Sequence, residues 1–242
     1  MELLSFFDSI RTPFLDFLAR LFAFAGSGII FLIIVTAVYW CVNKKSAFKL
    51  ILSYMAAVPI TALIRIIIHV RYSWTETGLC SMPYGGAVIL GLTLVVLFSD
   101  VRRFKHRIVF IAVTVISAFS MIFLGRASLA DVLVGLAAGI AGAVIIHRVL
   151  NSIALDKSIY FPMFAISLIG PIALLCVSLA LYYNDIIVYG ELAEALRIAG
   201  AGAGMMAGWY IECRRIGFKV STDRLWKQLA KLAIGWAVIV GF

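Results

Sequence analysis

The sequence is short of charge, of acid and of histidine. Of its 242 residues only 14% are charged, while 64% are hydrophobic. A soluble domain is about a quarter charged and about half apolar. A chain of this size cannot hide so much apolar side chain in a core of its own, and a mean hydropathy of +1.08 makes lipid the simplest solvent for it. Acids are the scarcer sign, 12 against 21 basic residues, for a formal net charge of +9. The basic residues sit in short clusters between apolar runs, which is how orienting loop charge is distributed. A nucleic-acid surface would instead gather them on one face, so no nucleic-acid partner is expected. Cys41, Cys80, Cys176 and Cys213 share no C-x-x-C spacing, which argues against zinc and gives no disulfide framework. No metal and no cofactor are expected.

The first residues also lack the basic start and apolar core of a signal peptide. Residues 1–24 carry Glu2, Asp8, Arg11, Asp16 and Arg20. Asp8, Thr12, Asp16 and Arg20 recur every four residues, on one helical face, and Phe7, Phe14, Leu18 and Leu21 fall on others. Thr12 followed by Pro13 is a helix start. The segment 1–24 is expected to lie in the membrane interface as an amphipathic helix.

What fills the rest, 25–242, is apolar runs long enough to cross a bilayer as helix. Eight candidates are 27–42, 47–70, 85–99, 107–124, 131–149, 159–182, 192–211 and 225–242. The expectation is an all-α, polytopic membrane bundle of about eight spans in one domain. Loop charge alternates. Lys44, Lys45, Lys49, then Arg102, Arg103, Lys105, Arg107, then Arg148, Lys157, then Arg214, Arg215, Lys219, Arg224, Lys227, Lys231 occupy the odd loops. The positive-inside rule puts these in the cytoplasm and both termini outside, in a plasma membrane. Gly135 and Gly139, and Gly200, Gly204 and Gly208, are four apart, a spacing that lets helix backbones approach closely. Packing within the chain is the first expectation for these faces, and a homo-oligomer contact the second.

The residues with chemistry to offer lie at the outer ends of the spans. Arg65 sits inside the end of the second span, with His69 four residues on and on the same face, then Arg71. Arg126 and Asp131 flank the turn between the fourth and fifth spans. An arginine within a span is costly and by default signals function; pairing with Asp131 or snorkelling to the head groups is the structural alternative. His106 and His147 belong to cytoplasmic loops, so His69 is the one histidine on this side.

These stretches resemble the type 2 phosphatidic acid phosphatases, whose three motifs, K-x6-R-P, P-S-G-H and S-R-x5-H-x3-D, share one membrane face. Ser120, Leu124, Gly125, Asp131, Val132, Leu133 and Gly135 fit the surroundings of the third motif, 81–87 resembles the second, and Arg65 to Arg71 resembles the first, one residue short and without its proline. The resemblance implies a family core over about 47–150 with extra spans over 159–242. It also implies that the catalytic positions have been lost. The nucleophilic histidine is Ala127, the acid histidine is Gly86, the third-motif arginine is Met121 and the second-motif serine is Tyr84. Neither Ala127 nor Gly86 can attack phosphorus or move a proton. What the resemblance leaves is a phosphate-binding set of Arg65, Arg71 and Arg126, with His69 and Asp131 as weak catalytic candidates. The implied partner is a phosphorylated membrane lipid, such as an isoprenyl phosphate, held by a silent member of the family. An active lipid phosphatase with a rearranged site and a lipid transporter are the alternatives. With the active site degraded, Asp131, without its histidine, is expected to pair with Arg126 or Arg65.

Overall fold

In a computed structural model the structure describes residues 12–72, 83–100, 104–152, 159–217, 230 and 232–237. Among them there is helix and no strand. The helices are α1 (Pro13–Phe24), α2 (Gly28–Ala37), α3 (Lys44–Tyr72), α4 (Gly85–Asp100), α5 (Phe104–Phe123), α6 (Leu129–Ser152), α7 (Tyr160–Ser167), α8 (Ile169–Tyr183) and α9 (Tyr189–Ile211). Two wide, π-type turns extend α2 and α9, over Val38–Val42 and Glu212–Ile216.

Four segments are long and apolar enough to cross a membrane: Lys44–Ile68, Phe104–Phe123, Leu129–Ser152 and Tyr160–Tyr183. A fifth arises if Pro13–Phe24 and Gly28–Val42, bent by 54° at their junction, count as one span. These helices are those of a membrane-embedded chain. α4 is apolar but short. α9 carries Glu191, Glu194 and Arg197 in its first turns, which lowers its hydropathy. Of the last expected span, 225–242, only 230 and 232–237 are described; there Trp236 Nε1 donates to Thr36 Oγ1 at 3.2 Å, which lays the segment against α2.

Local signals explain where helices start. The Thr12 hydroxyl accepts from the Leu15 N–H, with Pro13 in the first turn, and Ser27 does the same for Ile30. The Ser27 cap lies at the bend between α1 and α2. Before α6, Gly125 takes a positive φ of 66° and turns the chain. The Ser128 N–H then donates to the Asp131 carboxylate at 2.9 Å, and the Asp131 N–H to the Ser128 hydroxyl at 3.1 Å. This reciprocal cap satisfies N–H groups that the helix leaves orphaned.

α3 is the central helix, packed by α2, α4, α6, α8 and α9. α4 and α6 approach until backbones touch. A Cβ on Gly139 would lie 2.1 Å from the Val88 carbonyl oxygen, and one on Gly91 2.5 Å from that of Leu136. Gly135 and Gly139 therefore pack within the chain, and small residues at that contact replace the hydrophobic driving force that lipid does not supply. Gly200, Gly204 and Gly208 differ: among the described residues nothing lies within 4 Å of a Cβ at any of them. Pro59 sits inside α3, where it removes a backbone hydrogen bond. Gly170 of α8 lies there, its Cβ direction 3.3 Å from the Met55 carbonyl oxygen and 3.5 Å from Pro59. The two proline-bearing segments thus meet.

One end of the α3 and α9 pair is closed. Glu212 is 8% exposed, accepts from the Tyr39 hydroxyl and forms an ion pair with Lys44. Phe48 of α3 stacks on Trp209 of α9 beside it, ring centroids 3.9 Å apart.

Candidate functional site

Towards the opposite end a cavity of about 590 Å³ lies against α3 and α9, which share its wall with α2 and the start of α4. Arg65 of α3, Arg126 of the α5–α6 turn, and Glu194 and Arg197 of α9 line it. Arg65 Nη2 lies 2.7 Å from Glu194 Oε2, with the two side chains 20% and 44% exposed. Arg126 and Arg197 have no ion-pair partner among the described residues. Three guanidiniums and one carboxylate thus share a single hollow.

The charged residues occupy one end of it. Its deeper lining is Tyr54 and Val58 from α3, Ile198 and Met205 from α9, Phe31 from α2 and Ile89 from α4. From Arg65 down to Tyr54, at 1.5 Å rise per residue, the cavity follows α3 for about 16 Å. Glu194 to Met205 gives a similar depth along α9. A polar mouth therefore leads into an apolar slot between helices.

Two helix starts face the same space. The Gly26, Ser27 and Gly28 bend and the Tyr84, Gly85 and Gly86 start of α4 are both in its wall. Nothing lies within 4 Å of a Cβ at Gly28 or Gly85, so these first-turn amides are uncrowded. Helix N-termini present N–H groups and a partial positive charge, which adds to the guanidiniums.

The structure brings Arg65, Arg126, Tyr84, Gly86 and Met121 together around this cavity. Met121 is 1% exposed, and its methyl group fills the gap between Gly26 and Gly86: a Cβ on Gly26 would lie 2.3 Å from it, and one on Gly86 3.1 Å. Ala127 is buried in an apolar cluster with Met121, Ala23, Ala87 and Val132. Both groups are dry packing, with nothing to titrate. His69 and Arg71 belong to the last turns of α3, and their side chains lie outside the described residues, as do Ser81 and Met82. His106 is exposed near the start of α5 and His147 is near the end of α6, and neither lines the cavity. Among the described residues no three His, Cys, Asp or Glu side chains group as a metal site would require.

Asp131 departs from expectation. Arg65 turns to Glu194 instead, and the Asp131 carboxylate caps α6 through the Ser128 amide. Burial explains the choice: Asp131 is 2% exposed at a helix start, where orphan N–H groups are the nearest donors. Sequence reading also missed Glu194 and Arg197. The signal was present, since the two are three residues apart and share a face, within a run otherwise apolar enough to be a span. The rule that a charge inside a span points to function applies to them as it does to Arg65.

No family model, no curated protein and no solved structure matches this chain.

Proposed function

We propose that this protein binds a phosphorylated membrane lipid and does no chemistry on it. The head group sits among Arg65, Arg126 and Arg197, and the hydrocarbon chain runs along the apolar wall that α2, α3, α4 and α9 form. The observation that carries this reading is the cavity's division, guanidiniums at the mouth and apolar side chains below. Arginine suits the mouth because its planar fork meets phosphate oxygens with paired, charge-assisted hydrogen bonds. The slot suits a lipid because its lining can offer hydrocarbon only dispersion contacts, which is what it exchanges in the bilayer. Arg71, at the end of α3, belongs to the same phosphate set in this reading.

The silence of the site follows from its lining. Phosphoryl transfer through a protein nucleophile needs that nucleophile and a group to handle protons. Among the described residues the cavity is lined by no histidine, lysine or cysteine, and its single carboxylate is engaged by Arg65. In the type 2 phosphatidic acid phosphatase scheme, which the motif order resembles, Ala127, Gly86 and Met121 stand where the working groups belong. The proposal therefore includes that family's fold with a degraded centre. It includes eight spans, an interfacial N-terminal helix, and a plasma-membrane protein whose cavity faces outward with both termini on that side.

Purified protein in phosphatidylcholine nanodiscs, titrated with phosphatidic acid, is expected to bind it and to release no inorganic phosphate. Binding that shows no preference for phosphatidic acid over phosphatidylcholine overturns the reading. Phosphate release that disappears in both Arg65→Ala and His69→Ala would replace it with a rearranged phosphatase.

A further inference from the structure

One group in the cavity has the wrong sign for an anion site. Glu194 holds the Arg65 guanidinium at 2.7 Å, in the region where a head-group oxygen has to be. Its carboxylate is 44% exposed, so it reaches solvent by rotating about its own side-chain bonds, without opening the bundle. Arg65 is the more buried partner at 20%, held in the wall of α3. The pair therefore joins a fixed cation to a movable anion across the mouth, with α3 on one side and α9 on the other.

We propose that Glu194 is an internal occupant of the site, a carboxylate that holds Arg65 until an anionic head group takes its place. The proposal rests on the reading of this cavity as a phosphate site and assigns that site its competitor. In the empty state Glu194 neutralises Arg65, leaving two guanidiniums, Arg126 and Arg197, with no counter-charge among the described residues. A phosphate monoester carries about −1.5 to −2 at neutral pH and matches that pair of charges. A phosphodiester carries a single charge and leaves one guanidinium uncompensated. Bound phosphate also repels Glu194, more strongly the higher its own charge, so the carboxylate swings out and Arg65 joins the head group. Selection for a doubly charged terminal phosphate thus comes from the arginines, and Glu194 lowers the affinity of every anionic head group, most for the most highly charged.

The test compares wild type with Glu194→Gln, which keeps the side chain's size and removes its charge. The probes are short-chain phosphatidic acid and short-chain phosphatidylglycerol, added to the full chain in detergent micelles. Glu194→Gln is expected to tighten phosphatidic acid by up to about fivefold, equivalent to about 1 kcal/mol for a partly exposed pair, and to tighten phosphatidylglycerol less. Asp185→Asn removes a carboxylate from the exposed turn just before α9 and is expected to leave both affinities unchanged, which separates direct competition from general charge. A melting temperature for each variant confirms that it is folded, and Glu194→Asp supplies a second probe if Glu194→Gln is not. The shorter side chain releases Arg65 and gives an intermediate affinity. Equal or weaker phosphatidic acid binding in folded Glu194→Gln overturns the competitor role while leaving the phosphate site standing. Absence of binding in wild type and variant alike overturns the site itself, and the competitor with it.

Discussion

The same two helices, α3 and α9, are tied by an ion pair at each end, and the two pairs behave differently. Lys44 with Glu212 and Arg65 with Glu194 lie about 30 Å apart along α3 at 1.5 Å per residue. At the Glu212 end the carboxylate is buried, the Tyr39 hydroxyl supplies a second donor, and Phe48 and Trp209 stack beside it. Both carboxylate oxygens have a partner, and neither Tyr39, Lys44 nor Glu212 lines the cavity at the other end. At the Glu194 end the carboxylate is nearly half exposed, two further arginines stand by without counter-ions among the described residues, and a cavity adjoins the pair. A buried carboxylate with both oxygens engaged is costly to strand, so this contact fastens the helices. A half-exposed pair beside surplus cations is an exchangeable contact. Surroundings, not residue types, separate a staple from a site.

The comparison breaks most visibly at Glu212. Glu212→Ala removes the partner of Lys44 and of the Tyr39 hydroxyl and is expected to destabilise the protein by about 1–3 kcal/mol, read as a loss of melting temperature in detergent. Tyr39→Phe removes one donor and is expected to cost about 1 kcal/mol, so the series stays readable if Glu212→Ala does not fold. A variant that keeps its melting temperature and loses lipid binding would make the closed end functional. At the other end the effect moves from stability to binding. Arg65→Ala removes charge-assisted hydrogen bonds worth about 1.5–3 kcal/mol, so phosphatidic acid should bind roughly tenfold to hundredfold more weakly. The melting temperature should change little, because a half-exposed pair contributes about 1 kcal/mol or less. Part of the lost affinity comes from leaving Glu194 unpaired beside the phosphate. The double variant Arg65→Ala with Glu194→Ala should therefore bind better than Arg65→Ala alone, and the cycle measures the coupling.

Much of this architecture is legible in the sequence because its cause is local. Apolar runs of bilayer length mark α3, α5 and α6, and the joined run of α7 and α8. Thr12 before Pro13 marks the start of α1, and its cap forms as expected. The glycine spacing of α6 is read correctly as backbone contact, while the same spacing in α9 meets nothing among the described residues. Spacing says that a face is made of small residues; it does not say whether a neighbour comes to it. The cavity is legible in part. Arg65 and Arg126 are visible as charges at span ends, and Tyr84, Gly86 and Met121 by their place in motif-like stretches. The pairing of Glu194 with Arg65 and the Glu212 contacts are not, because the partners lie more than a hundred residues apart in the chain. Only the crossing of α9 on α3 brings them together. The expected pairing of Asp131 with Arg126 or Arg65 is not made, and its carboxylate accepts from the Ser128 amide at the start of α6.

The smallest expected effect sharpens the comparison furthest. Arg126 is exposed and has no ion pair among the described residues, and its contact with the fold is the backbone N–H it donates to the Met121 carbonyl. Arg126→Ala keeps that backbone bond, so stability should stay within about 0.5 kcal/mol of wild type. Its contribution to the cavity is charge alone. Removing it should weaken phosphatidic acid binding by up to about fivefold, the scale of a single partly exposed charge. It should also flatten the dependence of that binding on salt, since an exposed charge is screened. A loss of melting temperature in Arg126→Ala would mean that this end, too, is fastened by its arginines, and the distinction between staple and site would fail. A loss confined to affinity, smaller than that of Arg65→Ala and sensitive to salt, would rank the mouth by burial. The arginine set in the wall of α3 grips, and the one on the exposed turn steers.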